Sequence, residues 1–328
     1  MSERRWNPVL EEWVVTATHR QDRTFLPPPG YCPLCPTAPD GFPTEVPEST
    51  YEFVVFENKF PSLVLDAPAP SVESTVLYPV LPSTGVCEVV LYSSEHGGSL
   101  ADLPLDKMHQ LVKVWRDRYE SLGARPEIDY VFIFENKGEA IGVTIHHPHG
   151  QIYAFSYLPP KIERELSSES KHHEKTGRCL HCDIVQGELE SGARLIAETN
   201  DFVAFIPFYA RYPYEVHVYS KAHRASLSEF SAAEELDMAR IISAVLRKYD
   251  GLWGFSMPYM MVMHQKPTDG LSRPGSHWHL EFYPPLRTPN KLKYLAGCES
   301  GAGTFVNDTL PEEKAVELRA VQIEIGAI

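Results

Sequence analysis

The pattern of apolar and polar positions occurs twice along this chain. Leu105, Met108, Leu111, Val112, Trp115 and Tyr119 recur at i, i+3, i+4 spacing and predict an amphipathic helix. Leu236, Ala239, Ile242, Val245, Leu246 and Tyr249 repeat that stripe, opened by the capping-box pair Ser231 and Glu234 and expected to end at Gly251. Each helix follows a strand that runs to a histidine, Glu88 to His96 in the first copy and Glu215 to His223 in the second. Each precedes another strand, Tyr130 to Phe134 or Tyr259 to Met263. A Cys-x-x-Cys opens each copy, and a His-x-His closes it at His147-Pro148-His149 and His277-Trp278-His279. Landmarks kept in one order predict a duplicated α+β unit, with antiparallel sheets of consecutive strands and helices packed on them. The halves are expected at 1–166 and 178–328, joined by a linker at 167–177 whose polar sequence has no apolar period. A Pro-rich loop is expected over residues 26 to 47.

Composition narrows the function classes. A chain of 328 residues that is 43% hydrophobic can bury a sizeable core. Its 30 basic and 44 acidic residues give a net charge of -14, which argues against nucleic acid or an anionic membrane as a partner. A phosphate ligand must therefore meet a local site. The N-terminus lacks an apolar signal core and no stretch reaches the length of a membrane span, so a cytoplasmic protein is expected.

The six cysteines fall as two close pairs plus Cys87 and Cys298. Cys32 and Cys35 can place two thiolates on one tetrahedral cation, and His96 and His147 complete a closed Cys2His2 zinc site. A site with no open position is structural, and on the order of 10 kcal/mol of binding would hold the 26–47 loop. The repeat nominates Cys179, Cys182, His223 and His277 for a second site. The alternatives are buried thiols or a redox pair, with His172 and His173 as competing ligands.

A histidine committed to zinc cannot be a nucleophile, which leaves His149. Residues two apart in a strand share a face, so the metal would position His149. A neutral imidazole can attack phosphorus and form a nucleotidyl-histidine. Gly150 is expected to let a phosphate approach the backbone, and Gln151 to donate to a non-bridging oxygen, with Asn136 as a further donor. Because glutamine supplies no full proton, the site suits leaving groups that depart as stable anions, such as sugar phosphates.

The run His147-Pro148-His149-Gly150-Gln151, followed by Ile152-Tyr153 and Leu158-Pro159 and preceded by Phe134-Glu135-Asn136-Lys137-Gly138, resembles the galactose-1-phosphate uridylyltransferase family of the histidine-triad superfamily. Trp13-Val14-Val15, Phe56-Glu57-Asn58 and Phe282-Tyr283-Pro284-Pro285-Leu286 extend the likeness over nearly the whole chain. The resemblance implies two histidine-triad-like units and a ping-pong transfer of the uridylyl group from UDP-glucose to a hexose-1-phosphate through His149. Zinc is implied, and no organic cofactor. Phe56 and Asn58 are implied to hold uridine, Asn136, Thr144 and Gln151 to contact phosphates, and Lys293 and Glu299 to face the sugar. A homodimer is implied, with Arg20 and Arg23 lent across the interface.

Departures from the family pattern concern the sugar and the second metal. Thr144 stands in place of a serine, and Phe305 in place of a glutamine near the sugar. The well-known bacterial members bind a second metal through a glutamate and three histidines, positions that correspond to Glu165, His264, His279 and, with one ligand changed, Glu281. The second Cys-x-x-Cys favours the two-zinc arrangement of more divergent members instead. Two other functions fit the pattern, an ADP-sugar phosphorylase or adenylyltransferase and a zinc-stabilised nucleotide-sugar-binding module without turnover.

Overall fold

A computed structural model describes residues 2–22, 27–28, 30–38 and 41–323. Its elements in the first half are β1 (Ser2–Asn7), β2 (Glu12–Ala17), β3 (Val54–Glu57), β4 (Val80–Pro82), β5 (Gly85–Leu91), α1 (Leu105–Gly123), β6 (Tyr130–Lys137) and β7 (His149–Phe155). Then follow α2 (Pro160–Thr176), α3 (Leu180–Ser191), β8 (Leu195–Glu198), β9 (Phe202–Phe205), β10 (Val216–Ser220), α4 (Ala232–Trp253), β11 (Tyr259–His264) and β12 (His279–Tyr283). The short strands β13 (Leu286–Thr288) and β14 (Lys291–Leu292) and the helices α5 (Gly297–Ala302) and α6 (Pro311–Ala320) complete the chain.

The two copies join in one nine-stranded antiparallel sheet of order β3-β5-β7-β6-β11-β12-β10-β9-β8. The junction is β6 against β11, with Tyr259 opposite Lys137 and Met263 opposite Ile133. About this junction β6, β7, β5 and β3 correspond to β11, β12, β10 and β9. Strands β2, β1 and β4 form a separate small sheet.

Alternation decides which residues are core. Val86, Val90, Val131, Ile133, Ile152, Val216, Met261, Leu280 and Phe282 face α1 and α4 and form the main apolar cluster with Leu111, Trp115, Ile242 and Tyr249. The other sheet face carries one cross-strand row, Phe56, Val89, Gln151, Phe134, Val262, Glu281, His217 and Phe205. In the first half that face is roofed by the loop bearing Leu34 and Val46. In the second half α3 covers it through Val185 against Val203, Phe205 and Tyr219.

Two sequence expectations are corrected. Residues 167–176 are not a linker but the C-terminal part of α2, capped by Gly177 in the left-handed conformation at φ 70°. They lack an apolar period because α2 turns polar groups inward, with Glu165 against His264 and Glu169 against His181. Helix α4 passes through Gly251 and ends at Gly254, whose φ of 73° makes it the stop signal. Gly251 is needed for closeness instead, since a Cβ there would meet Val321 at 2.6 Å.

Candidate functional site

Both Cys-x-x-Cys pairs meet the histidines that the repeat nominated. Cys32, Cys35, His96 and His147 form one corner, and Cys179, Cys182, His223 and His277 another, with the ligand atoms of each within 4.8 Å of one another. Neither His96 nor His223 lies on a strand. Strand β5 stops at Leu91 and β10 at Ser220, and the loops beyond them carry the ligands inward.

The spacings fit a tetrahedral cation. Sulfur at about 2.3 Å and nitrogen at 2.0–2.1 Å from zinc set an S···N edge near 3.5 Å. Cys35 Sγ lies 3.3 Å from His96 Nδ1 and 3.5 Å from His147 Nδ1. Cys182 Sγ lies 3.5 Å from Nδ1 of both His223 and His277. Proton chemistry agrees with this. Burial pushes the Cys35 thiol up to about 11 with Cys32 beside it. In the other pair a hydrogen bond from Cys182 brings Cys179 down to about 3 while Cys182 itself is pushed up. Without a cation, neither pair ionises twice.

The backbone sets the histidine tautomers. Nε2–H of His147 donates to the carbonyl of Ser93 at 2.8 Å, and that of His277 to Ser220 at 3.0 Å, so both rings turn Nδ1 to the thiols. The Tyr51 hydroxyl also lies 2.8 Å from His147 Nε2, a partner with no signal in the sequence. Burial lowers the pKa of His147, which favours the neutral ring a metal needs. The next histidine is fixed from the ligand's own backbone. His149 Nδ1–H donates to the carbonyl of His147 at 2.8 Å, which makes Nε2 the basic nitrogen. His279 repeats this with the carbonyl of His277 at 3.1 Å.

Around His149 the open sheet face forms a cavity of about 1030 Å³ including its open mouth, lined by Phe56, Asn58, Val89, Ile145, His149 and Gln151 and by Leu34, Tyr31, Glu45 and Lys59. A second cavity on the other side of His149 holds Asn136, Lys137, Gly138 and His147. The two cavities thus share His149. Beside them the hydroxyl of Thr144 is buried without a hydrogen-bond partner.

Other predicted residues are placed differently. Lys293 and Glu299 line neither cavity and pair with each other at 3.2 Å. Arg20 donates to the carbonyl of Phe60 at 3.0 Å, and Arg23 lies outside the described residues. Phe305 packs on Tyr212 and under the Arg211 guanidinium, with ring centroids 6.1 Å apart and the cation 5.7 Å from the ring. Gly150 does not serve phosphate approach: its α-carbon faces the helices, where a Cβ would lie 2.0 Å from the Tyr92 hydroxyl. Tyr92 is buried with that hydroxyl unpartnered. Nearby, burial raises the carboxyl of Glu135 to about 8, with a Tyr259 hydroxyl donating to it at 3.3 Å. His172 binds Asp183 at 2.8 Å and joins neither metal corner.

A third corner gathers Glu165, His264, His279 and Glu281. It sits in the second half where His149 and Gln151 sit in the first, as the register of β12 on β11 requires. The sequence weighed this cluster against the second Cys-x-x-Cys, and the fold assembles both. Its donor set fits a metal less well than the thiol corners do, because protein hydrogens already occupy it. Lys161 Nζ lies 2.5 Å from Glu281 Oε2, and His264 Nδ1 lies 2.6 Å from Glu165 Oε2. His217 and Lys161 carry no sequence signal of their own, although the alternation of His279, Glu281 and Tyr283 with Leu280 and Phe282 marks a polar face. Among the described residues no helix is long and apolar enough to cross a membrane.

Comparison with known proteins agrees with this architecture. The profile for galactose-1-phosphate uridyl transferase, N-terminal domain, matches residues 1–159, and that for its C-terminal domain matches residues 165–326. A galactose-1-phosphate uridylyltransferase of Thermotoga maritima is 40% identical over 99% of this chain and 100% of its own length. One of Haemophilus influenzae is 33% identical over 97% and 94%. A solved uridylyltransferase superposes with a TM-score of 0.87 at 34% identity, covering 97% of this chain and 98% of that one. An ADP-glucose phosphorylase from Arabidopsis thaliana, solved with ADP-glucose, gives 0.75 at 25% identity, covering 99% and 100%. With both halves matched over nearly their full length, the chain belongs to the galactose-1-phosphate uridylyltransferase family.

Proposed function

We propose that this chain is a hexose-1-phosphate uridylyltransferase that moves UMP from UDP-glucose to galactose-1-phosphate through a uridylyl-histidine, a reaction of galactose metabolism. The observation that carries the reading is the tautomer of His149. Its Nδ1–H is held by the carbonyl of His147, and its basic Nε2 belongs to a ring that lines both cavities. In the first half-reaction Nε2 bonds to the α-phosphorus, the bond from that phosphorus to the bridging oxygen breaks, and glucose-1-phosphate leaves as an anion. In the second, a phosphate oxygen of galactose-1-phosphate takes the same phosphorus and His149 is restored. No external proton donor is needed.

Gln151 donates to a non-bridging oxygen, where transition-state charge gathers, with Asn136 and Thr144 as further phosphate contacts. Phe56 and Asn58 hold the base and ribose. Zinc, when bound by the two Cys2His2 corners, supplies structural cross-links, and the first of them steadies His147. The reading includes a homodimer. Lys293 and Glu299 serve the sugar, and Arg20 and Arg23 the nucleotide, when a second copy brings them to the pocket; Lys293 and Glu299 line neither cavity of their own chain. The reading puts the enzyme in the cytoplasm, a compartment that keeps such thiols reduced.

A second reading is transfer of an adenylyl group, favoured by the paired thiol corners. Intact-protein mass after mixing with UDP-glucose or ADP-glucose, without acceptor, separates the two. A uridylyl adduct mapped to His149 is expected. An adenylyl adduct moves the protein to the other branch, and no adduct with either donor refutes covalent transfer.

A further inference from the structure

Lys161, whose side chain is 42% exposed, reaches its ammonium to the rim of the third corner from the first turn of α2. Its Nζ lies 2.5 Å from Glu281 Oε2, 2.7 Å from the Tyr283 hydroxyl and 3.7 Å from Glu165 Oε1, so one protein cation spans both carboxylates. Further groups crowd the same carboxylate: Tyr283 donates its hydroxyl to Oε2, while His217 Nε2 at 3.3 Å from Oε1 and Arg211 at 3.6 Å from Oε2 stand close but bond to Glu215 instead, at 2.9 and 3.1 Å. Glu165 Oε2 takes Nδ1–H of His264. A metal bound at Glu281 Oε2, at about 2 Å, would sit within about 5 Å of the ammonium. The thiol corners differ: among the described residues no lysine or arginine hydrogen-bonds to their donor atoms.

We propose that the Glu165–His264–His279–Glu281 corner is closed by protein cations, Lys161 above all, and holds no metal. The glutamate at position 281 and the lysine at 161 then form one device, a buried charge and the ammonium that neutralises it. This gives the second half a fixed ionic lock between α2 and β12 at the position that carries the nucleophile in the first half.

The test is metal analysis of the full-length protein by mass spectrometry, before and after incubation with excess zinc or ferrous iron and desalting. No equivalent beyond those of the thiol corners is expected under either condition. An additional equivalent that disappears in Glu165→Gln overturns the proposal. The converse variant is Lys161→Met, which leaves Glu281 without its ammonium. Its thermal midpoint should fall by about 5 °C and recover when a divalent cation is added. An unchanged midpoint with unchanged metal content also overturns it. Both readouts are independent of turnover and of which nucleotide the enzyme uses.

Discussion

The two halves of this molecule present the same corner in opposite states. His149, Gln151 and Asn136 in the first correspond by strand register to His279, Glu281 and His264 in the second. Each leading histidine has its Nδ1–H held by the carbonyl of a metal-ligand candidate. In the first half a loop leaves cavities on either side of the ring. In the second, α2 lies across the ring, His279 is buried, and burial holds its pKa well below the ordinary range. Identical backbone logic therefore leaves one ring lining open cavities and buries the other. What covers the sheet face decides between them.

The largest expected difference is in turnover. His149→Gly should reduce exchange between sugar phosphates by about 10⁴-fold or more while nucleotide-sugar binding survives, as kinetics and calorimetry would record. His279→Asn should change turnover only a few-fold but lower the thermal midpoint, because it breaks a buried polar cluster. Equal losses of turnover in both would erase the distinction between the corners.

Next comes the metal. On the proposed function, Cys35→Ser and Cys182→Ser should each remove one zinc equivalent, but only the first should lower turnover, by about 100-fold, since only His147 would position the proposed nucleophile. Paired metal and rate measurements check this.

A smaller effect concerns the residue after each leading histidine. The position of Gly150 is filled by Leu280 in the second half, because only the first has the Tyr92 hydroxyl beneath it. Gly150→Ala should cost about 1–3 kcal/mol in denaturant unfolding, and Tyr92→Phe in the same chain should return part of it.

The smallest is a pH term. Glu135, matched by Met263, keeps its proton in the folded state to about pH 8 because burial penalises the charge. The unfolded chain releases that proton near its ordinary value of 4.5. Between those values unfolding releases a proton, so stability falls as pH rises, by on the order of 1–3 kcal/mol. Glu135→Gln should flatten that slope in unfolding measured across pH, and an unaltered slope would discard the assignment.

The repeat made the thiol corners and the antiparallel α+β character legible, because ligand pairs at fixed spacing and alternating strands are local signals, but not the joining of both copies into one nine-stranded sheet, which is set by the non-local pairing of β6 with β11. That His147 joins the thiols while His149 and Gln151 line the neighbouring cavity follows from the same short-range spacing. The use of Gly150 could not be read this way, since it depends on Tyr92 from the segment just beyond β5. Nor could α2, whose inward face is ionic and carries no apolar period. The third corner was visible only as scattered histidines and carboxylates, and its lysine partner required the helix to be in place. Lys293 and Glu299 could be named by resemblance alone, and within this chain they line neither cavity.

The junction of β6 with β11 carries one more consequence. Because the sheet runs unbroken through it, neither half has a finished edge there. A fragment ending near residue 159 would expose β6 from Tyr130 to Lys137 as a bare pairing template. Such a fragment must find another copy of itself or aggregate. Covalent linkage of the two units turns that encounter between two molecules into an intramolecular one.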